Sequence, residues 1–160
     1  MIFVVLGTHE LPFNRLLEEI NRQIQEGNIT ERVLVQAGHT KYRSPEMDFI
    51  DFTTYEEMNH LYEQARIIIT HGGTGSITLG VKMGKKVIAV PRMMKYGEHN
   101  DDHQLEIVNQ FYLSGHILYW NEPLKFDDVL KQIESFEPLP YESGKSEIIT
   151  IIQDFIDQKT

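Results

Sequence analysis

Cysteine is missing from all 160 residues of this sequence. Its absence excludes disulfides, thiolate metal sites and a cysteine nucleophile. It makes a reducing, cytoplasmic setting the simplest expectation. Long apolar runs are missing as well, and no stretch approaches the roughly 18 residues that a membrane-spanning helix needs. The amino end, MIFVVLGTHE, has five apolar residues after Met1 and neither a basic flank nor a small-residue cleavage site, so no signal peptide is expected. Positive charge is in short supply, with 15 Lys and Arg against 24 Asp and Glu, a net charge of −9. Duplex-binding domains carry the opposite excess to neutralise phosphates, so no nucleic acid is expected as partner.

What remains is ordinary for a folded domain. The hydrophobic content is 41%. A chain of this size buries about 68–70% of its unfolded surface, enough for a core without staples. A single domain over 1–160 is expected. The basic residues are uneven. Lys82, Lys85, Lys86, Arg92 and Lys95 crowd one window. They form either a solvated rim or a local attraction for an anionic ligand or membrane surface.

Apolar periodicity predicts strands over 2–6, 32–37, 49–52, 67–70 and 87–90, with a last short strand in HILYW, 116–120. Between them helical spacing predicts helices over 12–27, 55–64, 73–83, 101–113, 124–135 and 146–158. EPLPYESG, 137–144, is the best candidate hinge before the last of these. Strands alternating with helices predict an α/β fold, a doubly wound, mostly parallel, Rossmann-like sheet. With strand order 3-2-1-4-5, the switch point falls between the first and fourth strands, and ligands sit at the carboxyl ends there. The loops that follow those two strands are GTHELP and THGGTGS.

In HGGTGS the glycines let a backbone approach a ligand. Free N–H groups and the helix dipole favour an anion, and Thr74 and Ser76 add hydroxyls. A phosphate or diphosphate is the natural guest, although a tight turn with no ligand fits the same glycines. The pattern is neither a dinucleotide fingerprint nor a Walker loop. After the fifth strand, RMMKYGEHNDDHQ places His99 and His103 four apart with Glu98 and Asp102 nearby. A metal site is one reading and hydrogen-bonding or capping roles are the other. Asn100 or Asp101 is a plausible N-cap. His103 and Gln104 would then stand in the first turn with donors for phosphate oxygens. In GTHE, His9 is a candidate proton acceptor and Glu10 a candidate to orient it or act itself, unless both belong to an ordinary polar loop.

Three motifs in order, VVLGTHELPFNRLLEEI, ARIIITHGGTGSITLGVKMGKKVIAVP and GEHNDDHQLE, resemble the UDP-sugar-binding half of the MurG-like, family 28 glycosyltransferases. The likeness spans residues 1–120 and extends to the final helix. It is strongest to the small free-standing form. That form serves as the cytosolic subunit of a split dolichol-linked N-acetylglucosaminyltransferase and as a subunit of bacterial capsule and exopolysaccharide galactosyltransferases. GTHE, FNRL and the run VPR, KYGEH, DHQ resemble the bacterial branch in particular.

The resemblance implies the donor half of a divided GT-B enzyme, paired with a membrane-anchored subunit that carries the acceptor side. It implies a UDP-sugar donor, UDP-galactose in the bacterial branch, a lipid-linked sugar acceptor, inversion at the anomeric carbon, and no metal or other cofactor. By position, Gly7, Thr8, His71, Gly72, Gly73, Thr74, Gly75, Ser76 and His99 line or cradle the diphosphate. His103 and Gln104 contact phosphate or sugar, and residues 52–58 border the uracil. His9 and Glu10 are the local catalytic candidates, although the family implicates a histidine of the other half. One departure is Leu79, which stands where many members carry a ribose-binding glutamate. It leaves open a noncatalytic accessory subunit, and a UDP-N-acetylglucosamine transferase subunit is the other reading within the family. Outside the family, an epimerase lacks its dinucleotide fingerprint, and a metal-dependent hydrolase would depend on the His99 and His103 reading.

Overall fold

The computed structural model describes residues 1–141 and 155–157. Six parallel strands form one sheet in the order β3-β2-β1-β4-β5-β6. They are β1 (Ile2–Val5), β2 (Val33–Gln36), β3 (Asp48–Ile50), β4 (Ile67–His71), β5 (Lys86–Val90) and β6 (Leu118–Tyr119). The helices are α1 (Asn14–Gln25), α2 (Tyr55–Gln64), α3 (Thr74–Lys82), α4 (His103–Leu113) and α5 (Phe126–Ser135). The expected order 3-2-1-4-5 is present, with β6 added outside β5.

Alternation along the strands sorts the core into two layers. Ile2, Val4 and Leu6 face one side with Val33, Val35, Ile67, Ile69, Ile88 and Val90. α1 covers that side through Leu16, Leu17 and Ile20, and α5 through Phe126, Val129, Leu130 and Ile133. Phe3, Val5, Leu34, Ile68, Val87 and Ala89 face the other side, under α2, α3 and α4. The central strands are therefore buried on both faces, which is why they read as unbroken apolar runs.

Several element ends differ from the sequence reading, each for a local reason. α1 begins two residues late because the Phe13 N–H turns aside to Thr40 Oγ1, 3.0 Å away. α4 begins at His103, because Asp101 Oδ1 accepts the His103 N–H at 3.0 Å and Asp102 takes the cap position. α5 begins at Phe126, because the Leu124 carbonyl accepts the Trp120 indole N–H at 2.9 Å. β3 is shorter than expected, and past its end the Asp51 carbonyl accepts the Gln36 side chain. The helix predicted over 146–158 lies mostly outside the described residues. Residues 155–157 are helical, and Ile156 packs against the second layer.

Three of the five cations of the basic window are tied to backbone carbonyls. Lys85 Nζ donates to the carbonyls of Glu63 and Ala65, and Lys86 Nζ to that of Glu134. Arg92 is buried. These cations satisfy backbone carbonyls at helix ends and loops, an ordinary use for long basic side chains. Leu79 packs on the second core layer. The position where the resemblance led us to look for a ribose-binding glutamate is here part of the helix's apolar face.

Candidate functional site

The loops after β1 and β4 meet at the switch in strand order. They enclose a cavity of about 280 Å³ lined by Val5, Gly7, Thr8, Gln36, Phe52, Thr53, Met58, His71, Gly73, Gly75 and Ser76. A larger groove of about 490 Å³ runs beside α2 and shares Thr53 with it, but its other lining residues lie away from both loops. Six of the residues expected to cradle an anion line the smaller cavity. They are Gly7, Thr8, His71, Gly73, Gly75 and Ser76.

α3 opens at the mouth of this cavity. Its first intrahelical bond runs from Ile77 N–H to the Gly73 carbonyl. A helix leaves its earliest N–H groups without intrahelical partners. Here those of Gly73, Thr74, Gly75 and Ser76 have no hydrogen bond among the described residues. The buried hydroxyl of Thr74 is also unpartnered. Orphan donors and the positive end of the helix dipole converge on one point, the arrangement that binds phosphates.

Glycines serve two different needs in this loop. A Cβ at Gly7 would stand 2.6 Å from His71 Nε2, and one at Gly73 would clash with His71 Cε1. Both glycines therefore make room for the imidazole. A Cβ at Gly72 would stand 2.8 Å from Gln104 Cβ. Gly75 differs, since a Cβ there meets nothing within 4 Å. Among the described residues no atom requires a glycine at Gly75.

His71 lies between these neighbours, half-buried. Burial, aided by the charges of Arg92, His99 and His9, pushes its pKa down to about 3. The ring is neutral at physiological pH. Gln104 touches it from α4, with its Nε2 3.2 Å from His71 Nδ1. Gln104 Oε1 accepts the N–H groups of Gly72 at 2.9 Å and Arg92 at 3.0 Å. Gln104 is thus engaged inside the loops, where a direct phosphate or sugar contact was expected. The Gly72 N–H, also expected in the cradle, is taken by the same amide.

Two further residues hold the site and were not anticipated. Gln36, buried at the end of β2, clamps Gly7 with both ends of its amide. Oε1 accepts Gly7 N–H and Nε2 donates to the Gly7 carbonyl, each at 3.0 Å. The signal in the sequence was a lone polar residue closing the apolar run VLVQ. Arg92, 1% exposed, donates to the carbonyls of Leu6 at 2.7 Å, Leu11 at 2.8 Å and Glu98 at 3.0 Å. Burial lowers its pKa to about 10 against the pull of Glu98, so it keeps a positive charge behind the loop. Glu98 in turn pairs with Arg15 through Nε at 2.9 Å and Nη2 at 3.0 Å.

The rim holds the remaining candidates. The His9 and His99 rings lie 4.4 Å apart, tilted by 35°. His9 Nδ1 accepts the Leu11 N–H at 3.1 Å. That bond occupies the lone pair, so neutral His9 carries its proton on Nε2 and acts as a donor. Glu10 is exposed, and among the described residues no hydrogen bond joins it to His9. His99 Nδ1 and His103 Nδ1 flank the Asp101 carboxylate at 3.3 and 3.4 Å. Burial lowers the pKa of His99, with Asp101 opposing. Among the described residues no three His, Asp or Glu side chains converge as metal ligands. His103 also meets the ring of Phe155 at 5.7 Å, which brings the turn 155–157 to the edge of the site.

Comparison with known proteins bears on the family and the fold. The model of the glycosyltransferase family 28 C-terminal domain matches residues 1–158. The UDP-N-acetylglucosamine transferase subunit ALG13 of Candida glabrata is 32% identical over 78 residues, 48% of this chain and 37% of that protein. Its namesake in Candida albicans is 28% identical over 82 residues, 50% of this chain and 26% of that protein. These matches thus span well under half of the relatives' own lengths. Among solved structures, the solution structure of ALG13 superposes with a TM-score of 0.61 at 19% identity, covering 95% of this chain and 94% of that one. MurG of Acinetobacter baumannii superposes at 0.55 with 17% identity, over 82% of this chain and 40% of that one. Both share the fold.

Proposed function

Because this chain belongs to the glycosyltransferase family 28 C-terminal domain family, we propose that it is the donor-binding part of a UDP-sugar transferase. One observation carries the reading. The first turn of α3, whose four leading N–H groups have no partners among the described residues, borders the cavity at the switch point through Gly73, Gly75 and Ser76. Its geometry suits a diphosphate. In sugar transfer an acceptor hydroxyl attacks the anomeric carbon while the nucleoside diphosphate departs, and negative charge grows on its oxygens. Preorganised N–H donors stabilise such charge, each often by about 3–4 kcal/mol. The buried cation of Arg92 behind the loop adds to the favourable field. On this proposal no metal is needed for leaving-group stabilisation. Phe52, half-exposed and edge-on to His39 at 5.2 Å, borders the cavity where the base would rest.

The relatives named as UDP-N-acetylglucosamine transferase subunits make that nucleotide sugar the first donor to test. UDP-galactose is second, through the resemblance to bacterial capsule and exopolysaccharide subunits. The acceptor is proposed to be a lipid-linked sugar presented by a membrane-anchored partner, as the family resemblance implies. Of the two local proton acceptors considered, Glu10 offers a carboxylate, whereas His9 presents N–H.

Calorimetric titration with UDP in the presence of EDTA, beside UMP and ADP, tests the donor reading. Binding that prefers UDP is expected. Equal affinity for UMP and UDP would sink the diphosphate cradle, and affinity abolished by EDTA would sink the metal-free part.

A further inference from the structure

Gln104 does not face the cavity, yet its orientation decides which proton does. Its Oε1 sits between two backbone donors, Gly72 N–H and Arg92 N–H. An amide nitrogen cannot take that place, so the NH2 end must face His71 Nδ1. His71 Nδ1 is therefore an acceptor, and the single proton of the neutral ring sits on Nε2. Nε2 lies 3.2 Å from Ser76 Oγ, which must accept it. Among the described residues His71 is the one partner of Ser76 Oγ, whose own proton is left to point elsewhere. Ser76 lines the cavity.

We infer that Gln104 is a positioning residue that fixes the His71 tautomer, so that the Ser76 hydroxyl donates into the cavity toward an anionic oxygen. This rests on the donor-site reading above and deepens it. The two backbone N–H groups, from the loop after β4 and the loop after β5, set the chain of donors. Gln104, His71 and Ser76 transmit its direction over three elements. The low basicity of His71 keeps the relay intact near neutral pH.

Replacing Gln104 with Glu reverses the relay with nearly the same shape. One carboxylate oxygen still accepts Gly72 N–H and Arg92 N–H, but the other can now only accept from His71. The ring must place a proton on Nδ1, and in the neutral form Ser76 must donate to Nε2 instead of the ligand. The first readout is nitrogen NMR of the His71 ring in the ligand-free protein. Wild type is expected in the Nε2–H form, and Gln104→Glu in the Nδ1–H form. A wild-type ring in the Nδ1–H form, or one averaging between forms, overturns the inference.

The second readout is UDP affinity of Ser76→Ala, Gln104→Glu and the double variant. Each single change is expected to weaken binding roughly tenfold or more, the usual effect of losing a hydrogen bond to a charged group. If Gln104 acts through Ser76, the double variant binds within about twofold of the weaker single variant. Multiplicative losses would mean that Gln104→Glu merely repels the anion, and would overturn the relay. Failure of wild type to bind UDP would sink the donor reading and the last step with it, while the ring NMR still decides the tautomer.

Discussion

Gly75 separates a glycine kept for the fold from one kept for a ligand. Gly7 and Gly73 leave space for the His71 ring, and Gly72 for Gln104. Substituting any of the three disturbs the loop itself, so Gly73→Val is a poor probe of ligand binding. Gly75 sits in the first turn of α3 with open space around its missing side chain. Alanine there should stabilise the helix by roughly 0.5–1 kcal/mol. The same methyl group would stand where a phosphate must come close. Gly75→Ala is expected to keep or raise Tm while weakening UDP at least tenfold. A variant that binds UDP like wild type would take the ligand away from the start of α3. This distinction is invisible in the string HGGTGS, because Gly72 is crowded by Gln104 and Val108 from far along the chain and Gly73 by the way the loop folds back on His71.

At the level of elements, the sequence disclosed the strands and helices but not the fastenings between them. Apolar runs and helical spacing placed every strand and five helices, because burial on both faces leaves a periodic trace. Gln36 reaches Gly7 across 29 residues and Arg92 reaches Leu6 across 86. Pairings at such distances leave no local pattern, and so Arg92 looked like part of a basic patch. Its guanidinium fastens the loop after β1 to the loop after β5. Arg92→Met would leave the carbonyls of Leu6, Leu11 and Glu98 buried without donors. By analogy with broken buried charge networks, the expected cost is on the order of 3–5 kcal/mol. Urea unfolding would register it as a lower midpoint with unchanged slope. A loss below about 1 kcal/mol would mean that water replaces the guanidinium.

For the molecule as a whole, the neutral His71 makes stability depend on pH in one direction. Its folded pKa is about 3, against the ordinary 6.5. Between those values the unfolded chain binds a proton that the folded chain refuses. The stabilisation is complete above about pH 6.5 and is lost as pH falls toward 3. His99 is shifted the same way, mainly by burial. At about 1.4 kcal/mol per pH unit, His71 alone accounts for about 2 kcal/mol of loss at pH 5. Urea titrations from pH 7.5 to 5 should show this decline, and His71→Gln should flatten it. Parallel curves for the two proteins would mean that the ring is accessible to protons in the folded state. The acidic composition could not have announced this, since the effect comes mainly from the His71 imidazole, with His99 adding to it.

The sheet also tapers. Its inner strands are four or five residues long, while β3 and β6 at the rims have three and two. An outermost strand is where a sheet can recruit a foreign chain, and the number of unpaired backbone groups sets how firmly it can do so. Rims of three and two residues offer very few. Among the described residues, the sheet's two open edges therefore offer little template for strand addition.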